Sequence, residues 1–362
     1  MRDLRPDVLE HLEALVGCDT QNPPREIGES GIFEYLRAHL PGFDLEAFDL
    51  GDGCMGLHAV RGEPEILFNF HLDTVPAADG WSRDPFSLDV SVYRAFGLGA
   101  CDIKGASACM LSAVAESDAD AALLFTSDEE AGSSRCIRHF LEGAPDYLGV
   151  IVAEPTGGRA VAEHRGIVTA TGRFEGVAGH ASNPRGLEDN ALHHAARWAD
   201  AALAAAETEQ EHSYRGLDGI RFNLGRLEGG VKPNVIAPEA SVRFGFRPRP
   251  DQEADDLLRR LQQLAPDHER VDWEEGFRAP ALPAGDASGE AADANRRLAN
   301  RLGLQVDDAV DFWTEAALFS RAGYPTLVFG PGDIAQAHTA DEWVALEQLD
   351  GVLDAYLEIL NR

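Results

Sequence analysis

Residues 65–74 read EILFNFHLDT. Ile66, Leu67, Phe68 and Phe70 form a mostly apolar run of strand length, which Val75, Pro76 and Ala77 end. A strand that is apolar on both faces belongs inside a covered, parallel sheet. His71 and Asp73 stand at its C-terminal end, and a period of two puts them on one side. That pair suits a metal-ligand histidine oriented by a carboxylate behind it. It also suits a strand-end histidine bonded to a neighbouring acid for structural reasons, and the stretch by itself leaves both open.

The same pattern recurs downstream. "AALLFTS" (121–127) and "LGVIVAE" (148–154) are further apolar runs, separated by helical stretches such as "IKGASACMLSAVAE" (103–116) and "SSRCIRHFL" (133–141). Apolar strands alternating with helices predict an α/β domain, a mostly parallel sheet covered by helices on both faces. From Gly166 the style changes. "GIVTATGRFEG" (166–176), "GIRFNLGRLEG" (219–229) and "ASVRFGFRPRP" (240–250) alternate as half-buried strands do. "EDNALHHAARWADAALAAAE" (188–207) and "QEADDLLRRLQQLA" (252–265) carry a helical period. The first style returns after Pro280 with "YPTLVFG" (324–330) and "LEQLDGVLDAYLEIL" (346–360). The expected organisation is one domain from residues 1–165 and 278–362, with a smaller α+β domain, 166–277, inserted into it.

Composition narrows the function classes. An apolar content of 44% with 26% charged residues suits a globular chain with a full core. No apolar run approaches the roughly 20 residues that span a bilayer. The opening "MRDLRPDVLEHLEALV" reads as an acidic amphipathic helix and not as a signal peptide. Five cysteines, odd in number and without C-x-x-C spacing, suit reduced thiols, so the cytoplasm is the expected compartment. A formal charge of −31 argues against nucleic acid or an anionic membrane as partner. Lys104 and Lys232 are the only lysines, which fits either adaptation to high salt or a genome that favours arginine.

The residues just after each apolar run carry the chemistry. His71 and Asp73 come after "ILFNF"; Cys101 and Asp102 after "RAFGLGA"; Asp128, Glu129 and Glu130 after "AALLFTS"; Glu154 after "LGVIVA"; and the loop after "TLVFG" delivers His338. Ligands of open parallel sheets bind beyond the carboxyl ends of the strands. Five strand ends bearing His, Asp, Glu, Glu and His therefore predict an oxygen- and nitrogen-rich cluster at that edge. Two histidines and three carboxylates suit two divalent ions that share one carboxylate. The charges of two such ions balance three carboxylates and a hydroxide. Imidazole and carboxylate without thiolate fit Zn²⁺ and tolerate Co²⁺ or Mn²⁺.

Competing motifs fail. "GLGACD" (97–102) has Asp102 where a dinucleotide loop needs its third glycine, and "HERVD" (268–272) lacks the second histidine of H-E-x-x-H. Neither a G-x-S-x-G elbow nor a phosphate-binding G-x-x-x-x-G-K-[ST] occurs.

Taken together, "HLDTVP", "GACDIKG", "TSDEEAG", "AEPT", "AHTADE" and the inserted "GVAGHASNP" resemble the acetylornithine deacetylase / succinyl-diaminopimelate desuccinylase family of dinuclear metallohydrolases. "FWTEAALF" and "LVFGPGDIAQAH" look like its acetylornithine deacetylase branch, especially the acetylcitrulline deacetylases. The resemblance implies that His71 and Glu154 hold one metal, Glu130 and His338 the other, and that Asp102 bridges them. It implies a cis peptide after Asp102, Asp73 as the partner behind His71, and Glu129 as general base. His180 would reach into a partner subunit's site and stabilise the oxyanion. Arg165, Asn234, Arg247 and Thr314 match positions near the substrate's carboxylate or carbonyl, and Glu315 in "WTEA" is a further candidate. The inserted domain would carry the contact of a homodimer.

The reaction implied is hydrolysis of the acetyl amide of N-acetyl-L-ornithine or N-acetyl-L-citrulline in arginine biosynthesis. The alternatives are a dipeptidase, a general aminoacylase or a succinyl-diaminopimelate desuccinylase. From another class, the alternative is a silent relative that binds metal or amino acid; such a chain would lack a ligand or the base, and here every position is filled.

Overall fold

The computed structural model describes residues 6–266 and 270–362. His268, where "HERVD" begins, lies outside the described residues, as do the first five residues of the amino-terminal pattern. The chain divides into two compact units: Met1–Ala162 with Asp293–Asp307 and Thr314–Arg362, and Glu163–Ala292 with Asp308–Trp313.

The first unit is built on a six-stranded sheet in the order Asp44–Asp49, Met55–Arg61, Ala121–Thr126, Ile66–His71, Gly149–Val152, Thr326–Val328. The last four run parallel; the first pairs antiparallel with the second, and the second pairs antiparallel with the third. The apolar runs become strands because both their faces are covered. Phe68, Phe70, Leu123, Phe125, Ile151 and Phe329 share one core with the helices Pro6–Val16, Gly105–Glu116 and Leu346–Leu360. The alternate residues Leu67, Leu124, Val150 and Val152 are buried on the opposite face. The helix Ala316–Arg321 lies against Gly149–Val152 and Thr326–Val328. Tyr356, from the closing helix, meets Phe68, Phe70 and Phe329 edge-on. The small residues of "GASACM" let its helix sit buried nearly all round.

One strand departs from expectation. Arg94–Phe96 joins Asp89–Val90 and Trp343–Ala345 in a separate small antiparallel sheet, and not the large one. The glycine-rich "GLGAC" then turns tightly, with Gly99 at φ +77°, before the helix at Gly105 begins. Asp102 is thus delivered by a turn, not by the end of a parallel strand.

The second unit has a four-stranded antiparallel sheet in the order Arg221–Gly229, Glu239–Arg247, Ile167–Glu175, Val271–Ala279. One face alternates apolar residues (Val168, Phe174, Val242, Phe244) onto the helices Ala191–Glu209 and Ala254–Gln263. Trp198 fills their junction and donates its indole N–H to the Leu261 carbonyl at 2.8 Å. The long helix begins at Ala191, because Asn190 caps it by accepting the Leu192 N–H. This unit is wider than residues 166–277. His164 exchanges two backbone hydrogen bonds with Leu282, and Val310 donates to Glu163, so the flanking segments are tied to it.

Candidate metal centre

The strand Ile66–His71 ends on a buried histidine whose Nε2 lies 3.1 Å from Asp102 Oδ1 and 3.8 Å from Glu154 Oε2. His338 Nε2 lies 2.9 Å from Glu130 Oε1 and 3.5 Å from Asp102 Oδ2. Two triads result: His71, Asp102 and Glu154, and Asp102, Glu130 and His338, each with its ligand atoms within 4.8 Å of one another. The two oxygens of Asp102 face one triad each. The Asp102–Ile103 peptide is cis.

The electrostatics fit a cationic guest. Hydrogen bonds to Asp102 and Glu130 push His338 up to about 10. Burial would lower His71, but Asp102 and Glu154 hold it well above its ordinary value. Burial pushes Glu154 up to about 7 against the pull of His71. Burial also raises the Glu129 carboxyl well above the usual range; His71 opposes this, while Glu154 and Glu130 add to it. Histidines pushed up beside crowded carboxylates mark a strongly negative pocket. Divalent ions satisfy such a donor set, two imidazoles and three carboxylates without sulfur, without protonating it.

Asp73 works differently from the expected carboxylate–histidine pair. His71 Nδ1 meets the backbone carbonyl of Asp73 at 3.1 Å, while the carboxylate is 3.7 Å away. That carboxylate instead accepts the N–H groups of Glu129 and Glu130, at 3.2 and 3.0 Å, and the Asn22 amide at 2.8 Å. A single residue therefore orients a histidine through its main chain and seats two glutamates through its side chain. Asn22 carries no mark in the sequence, since nothing in "QNPP" signals a buried amide. Asp128, the first acid after the strand, stands apart from the triads. Its carboxylate takes the Arg135 and Cys136 N–H groups at the start of the helix Arg135–Glu142.

The residues matched to substrate positions fall into separate places. Glu315 is buried, and its Oε1 has no hydrogen-bond partner among the described residues. Burial, reinforced by Asp128, raises its carboxyl well above the usual range. Thr314 is buried, and its hydroxyl accepts the Ala316 N–H. In the second unit His180 and Asn234 come together, since His180 pairs with Val235 and Asn234 accepts the Ala181 N–H at 3.0 Å. The exposed His180 accepts the Ser182 N–H on Nδ1, which puts its own N–H on Nε2. Arg247 lines a cavity of about 650 Å³ on the sheet's open face with Arg221, Arg243 and Asn223.

Arg165 is the remaining residue matched to a substrate position. It is fully buried, and its guanidinium donates to Asp311 Oδ1 at 2.5 Å and to the Gly219 and Asp218 carbonyls at 2.7 Å. Those bonds make it a clamp within the second unit.

Comparison with known proteins agrees with this geometry. The model for peptidase family M20/M25/M40 matches residues 67–362. The chain is 52% identical to the N-acetyl-L-citrulline deacetylase of Xanthomonas campestris pv. campestris, over 100% of this chain and 99% of that one. It is 32% identical to the acetylornithine deacetylase of Pasteurella multocida, over 99% and 98% respectively. Among solved structures, a tripeptidase from Staphylococcus aureus superposes with TM-score 0.77 at 18% identity, covering 98% of this chain and 97% of that one. The family model covers most of the chain, and the relatives span it end to end: the chain belongs to peptidase family M20/M25/M40.

Proposed function

We propose that this chain is a metal-dependent hydrolase that cleaves the acetyl amide of an Nα-acetyl amino acid, N-acetyl-L-citrulline or N-acetyl-L-ornithine, in arginine biosynthesis. The observation that carries the chemistry is Asp102 placed between two histidine–glutamate pairs. The substrate class rests on the full-length likeness to the N-acetyl-L-citrulline deacetylase.

His71 and Glu154 would hold one ion, Glu130 and His338 the other, and Asp102 both; Zn²⁺ suits these donors best, with Co²⁺ or Mn²⁺ as substitutes. Ions held there supply carbonyl polarisation and a water acidic enough to lose its proton near neutral pH. Glu129, next to Glu130 in sequence yet outside both triads, takes that proton on its carboxylate and passes it to the departing amine. Asp73 keeps Glu129 in reach by holding its N–H. His180, with its N–H on Nε2, offers a donor for the oxyanion. In a homodimer formed through the second unit, that donor would serve the partner's site. No described helix is long and apolar enough to cross a membrane, and a cytoplasmic home suits five free thiols.

The test is an assay of the purified protein on both acetylated substrates before and after chelation, with Zn²⁺ or Co²⁺ restored afterwards. Release of free amino acid that chelation stops and metal restores is the expected result. Metal uptake without turnover of any acylated amino acid would overturn the reading.

A further inference from the structure

Four backbone N–H groups of the turn at residues 97–102 end on one residue, Glu342. Gly97 donates to its carbonyl at 3.1 Å. Gly99, Cys101 and Asp102 donate to its carboxylate at 3.0, 2.8 and 3.0 Å. The carboxyl group is buried, 2% exposed, so these bonds do not compete with solvent. The turn itself has little freedom. Gly99 is left-handed, and a Cβ there would stand 2.7 Å from Thr74 Cγ2 and 3.0 Å from Lys104 Cδ.

Glu342 also belongs to the segment that carries His338. That segment is pinned on both sides of Glu342. Asp341 accepts the N–H and hydroxyl of Ser82 at 2.9 and 2.7 Å, and Trp343 pairs with Phe96 in the small sheet. One side chain thus ties the backbone of Asp102 to the loop of His338, whose Nε2 lies 3.5 Å from Asp102 Oδ2.

We infer that Glu342 is a positioning residue for the dinuclear centre: by gathering the N–H groups of residues 99, 101 and 102 it sets where the Asp102 carboxylate stands relative to His338. The inference rests on the reading of Asp102 and His338 as metal ligands. It extends that reading to a residue that bears no ligand atom in either triad.

The experiment uses Glu342→Gln and Glu342→Ala beside the wild type, all freed of metal and titrated with Zn²⁺ by calorimetry. Co²⁺ loading then gives the visible spectrum. The glutamine keeps one oxygen for the Cys101 and Asp102 N–H groups but turns an amide donor toward Gly99. The expected result is a folded Glu342→Gln protein that binds the ions about 10–100-fold more weakly, the range typical of residues that orient ligands. Its Co²⁺ spectrum should be altered, and kcat should fall at unchanged KM. Wild-type affinity and spectrum in Glu342→Gln would overturn the inference. So would failure of both variants to fold, since the residue would then serve the fold alone. A wild-type protein that takes up no metal would instead remove the ligand assignment, and this inference with it.

Discussion

The two oxygens of Asp102 lie toward different histidines, Oδ1 at 3.1 Å from His71 Nε2 and Oδ2 at 3.5 Å from His338 Nε2. We propose that a carboxylate so placed would serve two ions at once, whereas each histidine would serve one. Asp102→Ala should therefore leave a folded protein with neither ion tightly bound. His71→Ala and His338→Ala should each retain one. Metal content after gel filtration checks this, and two retained ions in Asp102→Ala would refute the shared carboxylate.

Glu129→Gln separates base from ligand. Its carboxyl lies outside both triads, so the variant should keep two ions while kcat falls about 10²–10⁴-fold, the usual worth of a positioned acid–base group. Loss of an ion on metal analysis would show that Glu129 is a ligand.

Asp73→Asn examines the seat of the glutamates. The carboxylate accepts three donors, from Glu129, Glu130 and Asn22, and an asparagine would turn its own amide toward one of them. We expect kcat to drop about 10–100-fold with little change in KM. Asn22→Ala, which removes one donor and leaves the carboxylate, should have a smaller effect in the same direction. Equal kinetics for wild type and Asp73→Asn would contradict the assignment.

How much of the fold and site is legible in the sequence depends on what kind of bond makes each part. His71 and Glu154 come after apolar runs that form parallel strands, so period and burial place them. Asp102 and His338 are found by motif, but Asp102 sits on a glycine turn because its strand joins another sheet. The roles of Asp73, Asn22 and Glu342 lie in side-chain bonds to distant amides, which leave no period in a sequence. The setting of Arg165 is hidden from the sequence for a related reason. Whether an arginine is free or saturated is decided by carbonyls at Asp218 and Gly219, more than fifty residues away.

Stability in acid should depend on Asp286. Burial alone would raise its carboxyl, but the N–H groups of Ala292 and Ala291 and the hydroxyls of Tyr214 and Ser288 hold it below the usual range. A group lowered by folding stabilises the protein fully above its unfolded value, about 3.9, and loses that contribution as pH falls through the folded one. Asp286→Ala should cost about 1 kcal/mol or more at pH 7, as loss of a helix-capping carboxylate does. The gap in denaturant midpoint between variant and wild type should narrow below about pH 4. A gap that stayed constant into acid would show that the carboxylate's charge does not matter.

The two histidines are unequally sheltered, with the His71 side chain 3% exposed and that of His338 52% exposed. Ions behind such different doors should not trade places with solution at the same pace. Presented with isotopically labelled zinc, the pair held by Glu130 and His338 should swap its tenant early, while the ion beside Glu154 turns over late. Dilute chelator would then yield a half-loaded protein in a defined order and not a random mixture. In a cell where zinc is scarce, the inner seat would stay filled and the outer one would track supply.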